Sequence, residues 1–179
     1  MIKAYIFDLF GTLVSHDFKK IEGYHEALLV DKNTISKLPE KLRKRYIEIS
    51  NNDKITLYED SEEVIKKLKA KFKIALISNI YDLTRKRVEE LFEDFLKNFD
   101  VVVFSSEIGL AKPDHKIFQY AFKQLGVKPE EAVMVGDSPI KDIEPAKELG
   151  MSTILIDRDK QTLGGLMFKE LKWKQTKDL

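Results

Sequence analysis

The sequence predicts an α/β fold built on a parallel sheet. Short apolar runs alternate with segments whose apolar residues recur every three to four positions, which is typical of β-α-β units. The apolar runs are continuous rather than interrupted by polar residues, as expected for strands covered on both faces. With 179 residues, 43% of them hydrophobic, the chain is long enough for one such domain with a sizeable core.

Five segments have the length and composition of buried strands. They are residues 3–7, 73–77, 101–104, 132–135 and 152–156.

Amphipathic helices are predicted between these strands. One begins near Asp60, where Asp60 and Glu63 have the spacing of a capping box. Apolar stripes predict two more, over residues 83–96 and 114–125, the second ending at Gly126. The last helix begins at Ser138-Pro139, a good cap followed by proline, and ends at Gly150.

Residues 14–57 interrupt the alternation, because no strand-like run appears between Leu13 and Leu57. Two helical patterns occur there instead, over residues 18–29 and 36–49. An insertion directly after the first strand would lie above the edge of the sheet, which favours a lid over two scaffold helices. After residue 157 the pattern is weak: 164–165 indicate a turn, and 166–173 fit an edge strand or a helix.

Composition excludes several classes of protein. The absence of cysteine excludes disulfides and thiolate chemistry, and a net charge of +1 argues against a nucleic-acid partner. No apolar run approaches the roughly 20 residues of a membrane span, and none resembles a signal peptide, so we expect a cytoplasmic protein without a membrane partner. The high Lys and Glu content weakly suggests a heat-adapted source. Both a monomer and a homodimer remain open.

Polar residues follow four of the predicted strands, at the edge where α/β sheets bind ligands. The groups are Asp8 with Thr12, Ser78-Asn79, Lys112, and the segment 136–142. Each alone could be a helix cap, a turn or a solvated lysine. Four at one edge are not needed by a scaffold, and therefore indicate a binding or catalytic site.

The residue types at this edge suit phosphoryl transfer. Asp8 and Asp137, with Asp142 behind them, offer the oxygen ligands that Mg²⁺ prefers. Thr12, Ser78 and backbone amides near Gly11 can donate to phosphate oxygens, and Lys112 can neutralise developing charge.

These four segments resemble the motifs of the haloacid dehalogenase superfamily, whose members are mostly phosphatases. Residues 8–13, 77–79, 112 and 136–142 match its motifs in order, so the resemblance spans residues 1–157. It implies a Rossmann-like, three-layer core formed by residues 1–13 and 58–179. Residues 14–57 then become a small α-helical cap.

The resemblance also implies a role for each matching residue. Asp8 would be the nucleophile that forms a covalent aspartyl intermediate, and Lys112 would pair with it. Thr12, Ser78 and Asn79 would position the transferring group. Mg²⁺ would be held by Asp8, the backbone carbonyl of Phe10, Asp137 and Asp142.

Phe10 departs from the phosphatase pattern, in which a second aspartate acts as general acid. The superfamily's dehalogenases have an aromatic residue there, but they need no Mg²⁺ and lack the acidic fourth motif. A general acid contributes about 10²–10⁴-fold, most of all for alkoxide leaving groups. Phe10 therefore argues against simple alkyl phosphates and permits phosphoanhydrides, acyl or aryl phosphates, and carbon–halogen bonds.

The prediction is Mg²⁺-dependent hydrolysis of a small phosphorylated substrate, with two alternatives left open. The first is a metal-independent 2-haloacid dehalogenase acting on a halogenated substrate, in which Arg43 and Arg45 of the cap would bind the carboxylate or halide. The second is a catalytically weak protein that binds Mg²⁺ and a phosphorylated ligand. His16 and His25 could replace the missing acid, although surface or packing roles are favoured.

Overall fold

The computed structural model describes residues 1–17, 21 and 23–167 of the chain. The strands within them are β1 (Ala4–Phe7), β2 (Val14–Ser15), β3 (Thr56–Leu57), β4 (Lys73–Ser78), β5 (Val101–Phe104), β6 (Ala132–Gly136) and β7 (Ser152–Leu155). Five of them form one parallel sheet in the order β5-β4-β1-β6-β7. The ends of these five strands lie within one residue of the predicted segments, which confirms the parallel α/β fold.

The strand β1 lies at the centre of the sheet, and Asp8 of the first polar group directly follows it. The strand pairs with β4 on one side and β6 on the other, with Phe7 opposite Leu76 and Val135. Along the chain, β4 and then β5 are added on one side of β1, and β6 and then β7 are added on the other side. The order therefore reverses beside β1, and open α/β sheets bind ligands at such a switch point.

The α-helices in the described residues are α1 (His25–Val30), α2 (Thr34–Lys37), α3 (Glu40–Asn52), α4 (Ser61–Lys69), α5 (Asp82–Leu91), α6 (Glu93–Leu96), α7 (Ser105–Ile108), α8 (His115–Leu125) and α9 (Glu144–Glu148). A π-helical turn, Pro139–Ile143, precedes α9. None of these helices has the length and apolar character required to cross a membrane.

Two apolar clusters, one on each face of the sheet, form a three-layer core. Successive residues of β1 point to opposite faces, so Tyr5 and Phe7 pack in one cluster while Ala4 and Ile6 pack in the other. The first cluster includes residues of α4, α5 and α6, and the second includes residues of α8 and α9. The sheet is thus covered on both faces, as its continuous apolar strands predict.

The described part of the insertion is mostly helical, but the prediction that it contains no strand was wrong at its two ends. Val14–Ser15 pairs antiparallel with Thr56–Leu57, which joins the entry and exit of the insertion. Two-residue strands are too short to produce a periodic pattern. Between them α1, α2 and α3 pack around a separate apolar cluster of Ile21, Leu28, Leu29, Leu38, Tyr46 and Tyr81.

Two predicted helices are interrupted in the structure. The pattern over 36–49 divides at Leu38, which precedes Pro39 and adopts an extended conformation, as residues before proline usually do. The pattern over 83–96 divides at Phe92, between α5 and α6. In the pattern over 18–29, α1 begins only at His25, and residues 18–20 and 22 lie outside the described residues.

Two further local predictions were also wrong. Asp60 does not cap α4, because its carboxylate binds Arg158 and the backbone N–H of Gly164 instead. The predicted turn at 164–165 is helical, since residues 163–167 form a helical turn and Thr162 Oγ1 accepts from the Gly165 amide. Most of the segment 166–173 lies outside the described residues.

Candidate active site

Asp8 follows β1 and is buried, with 6% of its surface exposed. Its backbone N–H donates to the carbonyl oxygen of Val135 on β6 at 2.9 Å, which fixes the main chain at the end of the strand. The ammonium of Lys112 lies 2.5 Å from Asp8 Oδ1. The structure thus places the predicted nucleophile and the predicted lysine in direct contact.

The side-chain amide of Asn79 binds both the backbone N–H and the backbone carbonyl of Lys112. The Lys112 N–H donates to Asn79 Oδ1 at 2.8 Å, and Asn79 Nδ2 donates to the Lys112 carbonyl at 2.7 Å. Because both ends of the Asn79 amide are engaged, its main role is to position Lys112. Asn79 also lines the cavity, so its binding of substrate stays a prediction.

Asp142 forms the second ion pair of Lys112, with Oδ1 2.6 Å from the ammonium. Its other oxygen accepts from the Ser138 N–H at 3.0 Å. Ser138 caps the π-helical turn as predicted, accepting from the Lys141 N–H at 3.2 Å. This turn is what brings Asp142 back beneath the end of β6.

Asp137 completes a group of three carboxylates with Asp8 and Asp142. One oxygen from each lies within 4.8 Å of the others, and Asp137 is the exposed member. Gly11 makes room for it: an added Cβ at residue 11 would overlap Asp137 Oδ2, and the backbone there has φ 77°. The Gly11 amide is not available to a substrate, because it donates to the Val14 carbonyl at 2.8 Å. Gly11 therefore makes room for Asp137. The prediction that its backbone amide binds phosphate is not supported.

The two predicted hydroxyl residues, Thr12 and Ser78, are both buried. Thr12 Oγ1 lies 3.4 Å from Asp8 Oδ2, the oxygen that Lys112 does not contact. Ser78 Oγ is fully buried at the end of β4 and has no hydrogen-bond partner among the described residues. A buried hydroxyl normally finds a partner, so Ser78 has an unused hydrogen-bond donor, although it does not line the cavity described below.

The site electrostatics are dominated by burial. Burial raises the pKa of Asp8 to about 7, with Lys112 opposing the rise and Asp142 adding to it. Burial and the neighbouring Asp142 likewise raise the pKa of Asp137. Burial acts to lower the pKa of Lys112, but the Asp142 and Asp8 carboxylates outweigh it and hold that pKa above its ordinary value. The site thus concentrates negative charge that a cation would stabilise.

A cavity of about 250 Å³ opens above these groups. Its floor is lined by Asp8, Asn79, Lys112, Asp137, Ser138, Lys141 and Asp142. Its walls are lined by Phe10, His16, His25, Leu29, Ile80, Tyr81 and Thr84.

The prediction that Arg43 and Arg45 bind substrate is not supported. Both are exposed on α3, and neither lines this cavity. Arg45 lines a separate depression with Asp17, Glu48, Ile49, Asn52 and Asp53. The cap faces the site through α1 instead, with His25 and Leu29.

Sequence reasoning missed Tyr81, which connects the cap to the core. Its hydroxyl contacts His25 Nδ1 at 2.5 Å and accepts from the Ile21 N–H at 3.4 Å. Its ring meets that of Tyr46 edge-on at 5.5 Å. The only sequence signal is an aromatic residue three positions after Ser78. His16 also lies in the cavity wall, with its ring 4.8 Å from that of Phe10.

Known proteins share both sequence and fold with this chain. A glyceraldehyde 3-phosphate phosphatase from Methanocaldococcus jannaschii is 41% identical over 62% of this chain, which spans only half of that protein's length. A putative pyrophosphatase PpaX from Clostridium perfringens is 31% identical over 86% of this chain and 83% of its own length. A Bacteroides thetaiotaomicron enzyme, solved with magnesium and inorganic phosphate, is 22% identical and has the same fold, with a TM-score of 0.66 over 87% of this chain and 94% of that one.

A sequence match over most of the chain identifies the family. Residues 9–156 match the sequence profile of the haloacid dehalogenase-like hydrolases. That range includes Lys112, Asp137 and Asp142, and it begins one residue after Asp8. The chain therefore belongs to the haloacid dehalogenase-like hydrolase family.

Proposed function

We propose that this chain is a Mg²⁺-dependent phosphohydrolase that acts on small phosphorylated compounds through a covalent intermediate on Asp8. The observation that carries this proposal is the contact between a buried carboxylate and a buried lysine beside two further carboxylates. A scaffold has no need for three buried or crowded acids at a strand end. A phosphoryl-transfer site needs each of them.

The donor set fits Mg²⁺, which binds oxygen ligands and usually retains several waters. Asp8, Asp137 and the backbone carbonyl of Phe10 would hold it. Asp142 would support it from behind, because both its oxygens already bind Lys112 and the Ser138 amide. Bound Mg²⁺ would neutralise charge on the transferring phosphoryl group.

In the first step, Asp8 Oδ2 forms a bond to phosphorus while the bond to the leaving oxygen breaks and its electron pair departs with that oxygen. Lys112 offsets the charge around the phosphoryl group, and the unpaired Ser78 hydroxyl donates to one of its oxygens. Water then attacks phosphorus, the bond between phosphorus and Asp8 Oδ2 breaks with its electron pair returning to the carboxylate, and the proton lost by the water passes to the released phosphate or to solvent.

Phe10 restricts the leaving group, because the wall above Asp8 offers a phenyl ring where a proton donor would stand. Phosphate and carboxylate leave without protonation, whereas alkoxides do not. The cavity of about 250 Å³ suits a small compound. Phosphoanhydrides such as pyrophosphate, and acyl phosphates, satisfy both conditions, and likeness to the putative pyrophosphatase supports the first of these.

The test is a substrate panel with Mg²⁺ or with EDTA. The panel contains pyrophosphate, acetyl phosphate, p-nitrophenyl phosphate, glycerol 2-phosphate and 2-chloropropionate. We expect phosphate release from the first three only when Mg²⁺ is present, and little from glycerol 2-phosphate. Asp8→Asn should abolish the release while leaving the fold intact by circular dichroism.

Other outcomes would identify the alternatives. Halide release from 2-chloropropionate in EDTA would overturn the proposal in favour of a dehalogenase. Binding of Mg²⁺ and phosphate without turnover of any substrate would indicate a binding protein.

A further inference from the structure

Arg158 lies after β7, outside the four polar segments, yet it contacts the turn that carries the nucleophile. Its side chain is 6% exposed. Nε donates to the carbonyl oxygen of Thr12 at 2.8 Å. Thr12 belongs to the same turn as Asp8 and Phe10, so this bond ties the turn to the end of the sheet.

The remaining nitrogens of Arg158 bind the segment that returns from the cap. Nη1 donates to Asp60 Oδ1 at 2.7 Å, and Nη2 donates to Ser61 Oγ at 3.0 Å. The guanidinium carbon lies 4.2 Å from the centre of the Tyr58 ring. Each nitrogen of the guanidinium therefore donates one hydrogen bond, and the Tyr58 ring contacts the group as well.

The returning segment is bonded to the nucleophile turn as well. Ser61 Oγ donates to the Leu13 carbonyl at 2.8 Å, and the Tyr58 N–H donates to the same carbonyl at 3.1 Å. Leu13 and Tyr58 are the residues that border the insertion. One guanidinium thus joins the nucleophile turn, the exit from the cap and the segment after β7.

We propose that Arg158 is a positioning residue for the reaction: by fixing the Thr12 carbonyl, it holds the Phe10 carbonyl and the Thr12 hydroxyl in place around Asp8. The planar guanidinium is essential to this role, because it donates in three directions at fixed angles. A lysine could keep the ion pair with Asp60 but could not also bind Thr12 and Ser61. The kinetic part of this inference rests on the proposed function.

The test compares Arg158→Lys with Arg85→Lys. Arg85 is also largely buried and contacts three carboxylates, Asp82, Glu89 and Glu107, but it does not touch the nucleophile turn. We expect Arg158→Lys to lower kcat by about 10- to 100-fold, with a smaller change in KM, because small misplacements of reacting groups are costly. Calorimetry should show Mg²⁺ affinity falling roughly tenfold, as when the supports of metal ligands are lost. Arg85→Lys should change neither.

A loss of thermal stability in Arg158→Lys with wild-type kcat and Mg²⁺ affinity would overturn the inference. If that variant does not fold, Ser61→Ala provides the second test, since it removes the hydroxyl shared by Arg158 and Leu13. It should lower kcat and Mg²⁺ affinity in the same direction, and unchanged values would again contradict the proposal. If the wild type turns over no phosphorylated substrate but Arg158→Lys still weakens Mg²⁺ binding, the proposed function fails while the positioning role stands.

Discussion

Phe10 affects both halves of the proposed reaction. A carboxyl group at this position would protonate the leaving group and then, as a carboxylate, take a proton from the attacking water. The phenyl ring does neither, and it packs against His16 instead. The effect on the first half is selective, because substrates whose leaving groups need no proton lose least, whereas the second half is common to all substrates.

Phe10→Asp should therefore raise kcat/KM for glycerol 2-phosphate by about 10- to 100-fold, within the contribution of a positioned general acid. The gain for pyrophosphate should be much smaller. Steady-state assays of both substrates measure the ratio, and Phe10→Asn is the control of equal size without an ionisable group. An equal gain for both substrates, or the same gain in the Asn variant, would show that proton transfer is not what limits the reaction.

Gly11 illustrates a second constraint at the residue scale. It has φ 77° and faces Asp137 with no space for a Cβ, whereas Gly150 has φ 90° and nothing within 4 Å. A side chain would strain the backbone at both positions, but only at Gly11 would it also collide with a neighbouring residue.

Gly11→Ala and Gly150→Ala should each lose about 1–2 kcal/mol of unfolding free energy, the cost of a left-handed conformation for alanine. Only Gly11→Ala should also weaken Mg²⁺ binding, by roughly tenfold, because it displaces Asp137. Urea denaturation and calorimetry separate the two effects. Equal Mg²⁺ affinity in both variants would mean that Asp137 does not contribute to the metal site.

At the scale of elements, the base of the cap depends on two acids. Asp17 follows β2 and Asp53 ends α3, and both line the depression beside α3. Burial, followed by the contact with Asp17, raises the pKa of Asp53 to about 6. The Asp17 carboxylate also accepts from the Lys54 N–H at 2.9 Å. The folded protein therefore holds a proton on Asp53 that the unfolded chain releases at lower pH.

This pair predicts a pH effect on stability with a definite sign. A group whose pKa is raised by folding stabilises the protein fully below its unfolded pKa, near 3.8, and this contribution is lost as pH rises through about 6. Asp53→Asn keeps the size of the side chain and removes its titration. It should match the wild type at low pH and exceed its stability at pH 8, as measured by urea denaturation. The same pH dependence in both proteins would show that Asp53 is not the titrating group.

The helices and loops around the site show what sequence patterns could and could not predict. Strands buried on both faces are local, continuous apolar runs, so their ends and the polar residues that follow them were predictable. The roles of Asn79, Tyr81 and Arg158 were not, because each depends on a partner far along the chain, such as Lys112, His25 or Thr12. Arg43 and Arg45 were wrongly expected in the binding site, because a helical pattern alone does not say which face of α3 meets the core.

At the scale of the whole molecule, the division into a core and a cap is open to a direct test. The register pairs Ser15 with Thr56 across two antiparallel strands. Replacing residues 16–55 with Asn-Gly would close these strands as a two-residue hairpin, for which Asn-Gly is favoured.

The shortened protein should unfold cooperatively and retain Mg²⁺ binding, since the three carboxylates and Lys112 all lie in the core. Its KM for pyrophosphate should rise, because His16, His25 and Leu29 no longer line the cavity. Thermal denaturation, calorimetry and steady-state kinetics test these points. Failure to fold would show that residues 14–57 belong to the core rather than to a separable cap.

The strand order has a further consequence for how the protein folds. Asp8 and Lys112, which lie in contact, are separated by 104 positions along the chain. Closing such long loops delays the formation of non-local pairs relative to local helices. Lys112 follows β5, so its contact with Asp8 requires β1, β4 and β5 to be assembled in the sheet. Mg²⁺ that binds only these assembled carboxylates would stabilise the folded state relative to the unfolded chain.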